Sequence, residues 1–128
     1  MEGHLVHARA EGDGVELAVV GFLIQEGGHN EVLQGIWDVM PATEGKVEVD
    51  GATVDAADLL PGDDAGEEYY AYSGSLTTPP CTEGVRWQVL EQPIEASAAQ
   101  IADFQAIFDM NARPVQNLFG REISLVED

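Results

Sequence analysis

Gly74-Ser75-Leu76-Thr77-Thr78-Pro79-Pro80-Cys81 is the stretch on which the reading of this chain turns. Two consecutive prolines fix the backbone and remove two N–H donors, while the hydroxyls ahead of them stay free to donate and accept. Taken by itself the stretch reads either as a rigid turn between two strands or as a rigid loop that presents Thr77 to a reacting group. Both readings need strands on either side. Glu68 to Ser75 and Val85 to Pro93 provide them, with the apolar and aromatic content that strands favour.

Further toward the N-terminus, His4 to Ala10 alternate, with His4, Val6 and Ala8 on one face and Leu5, His7 and Arg9 on the other. After Glu11-Gly12-Asp13-Gly14 a second strand runs from Val15 to about Gln25. Its apolar residues on both faces predict a central place in the sheet, and the short Gly-rich link predicts a hairpin. Asn30 offers an N-cap to a helix whose Val32, Leu33, Ile36, Trp37 and Met40 share a stripe, stopped by Pro41. Lys46 to Asp58 reads as a short strand and turn, and Leu59-Leu60-Pro61-Gly62-Asp63-Asp64 as a loop. Beyond the central stretch, Ser97 and Gln100 form a capping box. Ile101, Phe104, Ile107 and Phe108 then make one face of a helix ending near Met110. These elements add up to an α+β, strand-dominated fold, one sheet with two helices packed on it.

A chain of 128 residues is long enough for one domain with its own core. No apolar run approaches the ~20 residues of a membrane-spanning helix. The opening Met1-Glu2-Gly3-His4-Leu5-Val6-His7 also lacks the basic-then-apolar pattern of a secretory signal. With 24 acidic against 5 basic residues and a net charge of −19, the surface repels phosphate backbones and anionic headgroups, so neither nucleic acid nor membrane is expected as a partner. Cys81 is the single cysteine, which excludes an internal disulfide and a cysteine-based zinc knuckle. His4 and His7, three apart on a strand, face opposite ways and do not chelate one ion. His29 stands in a Gly-rich turn without ligand spacing to either.

Two segments, Glu2-Gly3-His4-Leu5-Val6-His7 and Ser75-Leu76-Thr77-Thr78-Pro79-Pro80-Cys81-Thr82-Glu83-Gly84-Val85-Arg86-Trp87, resemble signature stretches of α-class carbonic anhydrases and occur in family order. Between and after them, Leu17-Ala18-Val19-Val20-Gly21-Phe22-Leu23 is similar to the family's pocket strand and Asn111-Ala112-Arg113-Pro114-Val115-Gln116 to its C-terminal segment. The resemblance implies part of the large, mostly antiparallel central sheet of that fold, with residues 1–128 as a single partial domain lacking the N-terminal half. It implies zinc as cofactor, carbon dioxide and bicarbonate as the reacting partners, and hydration of carbon dioxide as the reaction.

Carried over residue by residue, the resemblance makes His4 a zinc ligand and Glu2 the carboxylate that orients its ring. Thr77 becomes the catalytic hydroxyl that aims the attacking oxygen. Val6, Leu17, Val19, Leu76, Val85 and Trp87 surround an apolar substrate pocket, with Thr78 on its polar side. The same resemblance implies a cis bond between Pro79 and Pro80. The family's His-x-His pair, source of its other two ligands, has no counterpart in these residues, so the expectation is an incomplete zinc site and a chain inactive by itself. Two other readings follow from that gap: a non-catalytic binding or interaction module, and strand-mediated self-association in which chains complete one another's sheet. By family analogy the expected location is periplasmic or secreted, where Cys81 would pair with an upstream cysteine.

Overall fold

The structure, a computed structural model, describes residues 1–12, 14–62 and 68–127. Strands β1 (Glu2–Glu11) and β2 (Gly14–Glu26) form the expected hairpin, with His4 opposite Gly21 and Val6 opposite Val19. The turn between them includes Asp13, which lies outside the described residues, as do Asp63 and Asp64 of the expected loop. Strand β3 (Glu68–Ser75) pairs antiparallel with β4 (Glu83–Leu90), and β4 then lies parallel to β2 with Val19 opposite Trp87. The sheet order is β1, β2, β4, β3, β6, with β5 (Ile94–Ala96) beside the far end of β2 and β6 (Ser124–Glu127) along β3. The sheet is therefore mixed, with β2 central as its two apolar faces predict.

Alternation along these strands divides the core in two. One face collects Phe22, Ile24, Leu90, Ile94 and Ala96 under Leu33 and Leu59, with Trp37 and Ile101 packed against them. The other face collects Val19, Val85 and Trp87. Burying a valine side chain stabilises by roughly 1.5–3 kcal/mol, so Val19 at 1% and Val85 at 0% exposure make the second face a core in its own right.

Helix α1 (Glu31–Trp37) starts where Asn30 accepts from the Leu33 N–H at 3.0 Å. It ends earlier than the stripe to Met40 suggests. Its last bonds tighten to Val39 N–H on Ile36 O and Met40 N–H on Trp37 O, and Pro41 disfavours helical backbone at Met40. Helix α2 (Ala98–Gln105) opens with the expected capping box and also stops short, where the Ile107 N–H bonds to the Phe104 carbonyl three residues back instead of one four residues back. Met110 beyond it is 89% exposed, with no burial to hold another turn.

Gln100 joins the two helices. It is 1% exposed, its Oε1 accepts from Asn30 N at 3.0 Å and Ser97 N at 3.1 Å, and its Nε2 donates to Asn30 O at 2.7 Å. One side chain thus satisfies the N-terminal groups of both helices.

Two expectations need correction. Lys46 to Asp58 contains no strand: Val47 and Val54 stay 54% and 53% exposed, no strand among the described residues pairs with the segment, and Gly51 at φ +73° turns the chain. Asp55 instead caps a 3-10 turn, Ala56–Leu59, that buries Leu59. The strand expected from Val85 to Pro93 ends at Leu90, and β5 begins separately at Ile94. Neither β5 nor β6 was apparent as a separate strand, since three or four residues are too few to establish a period.

Candidate functional site

His4 projects from β1 onto the sheet face that carries Val19 and Trp87. Its Nε2 meets Glu2 Oε1 at 2.7 Å, a contact that alternation permits because residues two apart share a strand face. The carboxylate assigns the ring proton to Nε2 and leaves the Nδ1 lone pair available. The ring also meets Trp87 edge-on, with centroids 4.8 Å apart and planes at 79°. His4 and Trp87 stand on strands either side of β2, and Gly21, opposite His4, carries no side chain to separate them.

The indole of Trp87 is held on every side. It is 4% exposed, stacks on Tyr72 with planes 5° apart, and donates its N–H to the Ser75 carbonyl at 3.0 Å. Gly74 has no room for more: a Cβ there would lie 3.0 Å from the indole Cδ1 and 3.1 Å from the Tyr72 ring. Burial, then the negative charge of Glu2, raises the pKa of the Tyr72 hydroxyl above its ordinary value of 10.0, with Arg121 opposing.

The loop after Ser75 folds back on itself. Leu76 N–H donates to Thr82 O at 2.9 Å and Cys81 N–H to Thr78 O at 2.8 Å. The Pro79-Pro80 bond between them is cis, as the resemblance implies. Thr77 and Thr78 are exposed at this turn.

Leu17, Val19, Leu76, Val85 and Trp87 come together as one cluster, joined by Tyr72 and Val89. Val6 shares their face but is 59% exposed and stands outside the buried group. Tyr72 escaped the sequence reading because its contact with Trp87 depends on strand register. Arg113 and Ser75 escaped it too, and only the scarcity of cations in so acidic a chain pointed to the arginine. His7 lies on the opposite face, beside a shallow cleft where Glu16 already binds both Arg9 and Arg86. His29 stands 3.8 Å from Glu31.

The donor set fits one corner of a zinc site. Among the described residues no three His, Cys, Asp or Glu side chains converge, and a catalytic zinc needs three protein ligands and an open position. His4, with its Nε2 already braced, is suited to be one of them.

The sheet and its two helices have the α-carbonic anhydrase fold. Residues 1–127 match the family model for eukaryotic-type carbonic anhydrases, and the chain belongs to that family, whose α-class members are zinc enzymes. It is 49% identical over 122 residues to a carbonic anhydrase of Nostoc sp., covering 94% of this chain and 44% of that one. The α-carbonic anhydrase of Thermovibrio ammonificans, solved with the inhibitor sulfanilamide, superposes with a TM-score of 0.82 at 42% identity, over 95% of this chain and 52% of its own. A hyperthermostable carbonic anhydrase from a hydrothermal vent chimney gives 0.85 at 43%, over 98% and 54%. The chain thus spans about half the length of the relatives it matches.

Proposed function

We propose that this chain forms one side of the active site of a carbonic anhydrase that converts carbon dioxide and water to bicarbonate and a proton. The observation that carries the reading is His4, braced by Glu2 at 2.7 Å and standing on the same sheet face as the apolar cluster around Trp87. Zinc, when bound, supplies Lewis-acid activation of water, chemistry for which carbonic anhydrases are the standard illustration.

The chain's own residues do the rest. Glu2 holds the proton on His4 Nε2, so that Nδ1 would be the lone pair offered to a zinc ion. The Thr77 hydroxyl orients the attacking oxygen by accepting its proton in a hydrogen bond. Val6, with Leu17 and Leu76, offers an apolar wall to carbon dioxide, which has neither net charge nor dipole, backed by the buried Val19, Val85 and Trp87, while Thr78 provides a polar edge for the product anion.

Two further ligands are required, and they come from polypeptide outside these residues. Among the described residues β1 pairs with β2 alone, and Val6 beside His4 is exposed, so its outer edge is open to another strand.

The test is zinc content and carbon dioxide hydration in the protein together with the polypeptide that supplies the other two ligands, with and without His4→Ala. One zinc per active wild-type chain is expected, with tight binding lost in the variant. A variant that keeps wild-type zinc refutes the assignment of His4. A wild-type protein with neither zinc nor activity leaves the non-catalytic module as the better account.

A further inference from the structure

We propose that Arg113 is a positioning residue for Thr77, acting through Ser75. This deepens the reading above and rests on it for the role of Thr77.

Ser75 is the pivot. Its carbonyl accepts the Trp87 indole N–H at 3.0 Å. Its hydroxyl accepts from Arg113 Nη1 at 2.7 Å and donates to Leu76 O at 3.0 Å. A hydroxyl has one proton and two lone pairs, so these bonds use the group without conflict. Ser75 also stands where the β3–β4 register shifts, between Gly74 opposite Val85 and Ser75 opposite Glu83. From this irregularity onward the regular ladder no longer directs the backbone. Thr77 lies two residues further on. The direction in which the chain leaves the sheet is therefore set by what grips Ser75 together with the Leu76 N–H bond to Thr82 O.

The other end of the path reaches His4. The indole that donates to Ser75 is the one that meets the His4 ring edge at a centroid distance of 4.8 Å. Contacts run without a gap from Arg113 through Ser75 and Trp87 to His4, with Leu76 and Thr77 carried on Ser75.

The choice of residue supports the assignment. In a chain with 24 acidic residues and 5 basic ones, Arg113 is half-buried and, among the described residues, forms no ion pair. Its charge is directed at a serine hydroxyl, and a hydrogen bond with one charged partner is stronger than a neutral one. Arg121 secures the same C-terminal segment separately, donating to the carbonyls of Ser73, Asn117 and Leu118. Removing the Arg113 guanidinium therefore frees Ser75 while the segment stays attached to β3.

The experiment uses the protein together with the polypeptide that supplies the other two ligands, with zinc added, and compares wild type, Arg113→Met, Arg113→Lys and Ser75→Ala. In proton–nitrogen NMR spectra, Arg113→Met and Ser75→Ala should shift the Trp87 indole N–H and the amides of Leu76 and Thr77. The Trp37 indole, bonded to the Gln100 carbonyl in the other core, should stay in place. Zinc content is expected to hold while kcat/KM for hydration falls roughly ten- to a hundredfold, with Arg113→Lys recovering part of the loss.

Unmoved Trp87 and Thr77 signals overturn the proposal, and so does equal movement of both indoles, which marks general loosening. Moved signals with unchanged kcat/KM in an active enzyme also overturn it. If Arg113→Met does not fold, Ser75→Ala decides by the same criteria. If the wild-type chain has no activity, the carbonic anhydrase reading fails separately, and the spectra alone decide whether Arg113 sets Thr77.

Discussion

Glu2 Oε1 and His4 Nε2 stand 2.7 Å apart across a single intervening residue of β1. A carboxylate there does more than fix ring orientation, because its negative charge also favours a cation bound at the nitrogen that faces away from it. Glu2→Gln keeps a hydrogen-bonding group and removes the charge. In the protein completed by the polypeptide that supplies the other two ligands it should weaken zinc binding roughly 10- to 100-fold, read by competition with a chromophoric chelator. Wild-type affinity in the variant would show that Glu2 acts on shape alone or not at all.

Thr77→Ala separates orientation from metal binding. A hydrogen bond to a charged group contributes about 1.5–3 kcal/mol, and each ~1.4 kcal/mol is tenfold in rate. Hydration turnover should therefore drop roughly 10- to 150-fold with zinc content intact. Stopped-flow assay beside metal analysis checks this, and an unchanged rate removes Thr77 from the mechanism.

Gln100→Leu tests the joint between the helices. The substitution is close in size but leaves Asn30 N, Asn30 O and Ser97 N without their side-chain partner. A buried group left unpaired costs about 1–3 kcal/mol. A total loss of about 2–4 kcal/mol is expected, measured as the shift in urea midpoint.

Tyr72 gives a pH dependence with a definite sign. Its folded pKa is raised above 10.0, chiefly by burial and then by Glu2. The folded protein therefore retains the phenolic proton at pH values where the unfolded chain has released it. The resulting stability is complete below pH 10.0 and is lost as the pH rises through the folded pKa. Denaturation between pH 8 and about 11.5 should show this decline in wild type and a smaller one in Tyr72→Phe. Equal slopes would refute it.

Much of this architecture is written locally in the sequence. Alternation from His4 to Ala10 separates His4 from His7, and Ser97 with Gln100 declares the start of a helix. The tight turn at Pro79-Pro80 follows from its residues and its resemblance. What escaped depends on partners distant along the chain. Val47 and Val49 alternate as a strand would, yet a strand requires a neighbour and none pairs with them among the described residues. Tyr72 joins the candidate site only because register sets it opposite Trp87. Arg113 matters through a serine hydroxyl that no spacing rule connects to it.

The parallel pairing of β2 with β4 also has a kinetic side. The β1–β2 and β3–β4 units are local hairpins, and hairpins form in ~1–10 μs. Joining them brings Val19 against Trp87 across most of the intervening chain, which carries a larger loop-closure cost and comes later. His4 belongs to the first hairpin and Thr77 to the turn of the second. A chain halted before the two unite would hold His4 and Thr77 each on a finished hairpin, not yet brought to one side of the sheet together. The β2–β4 ladder is thus the step that brings the His4 and Thr77 hairpins together.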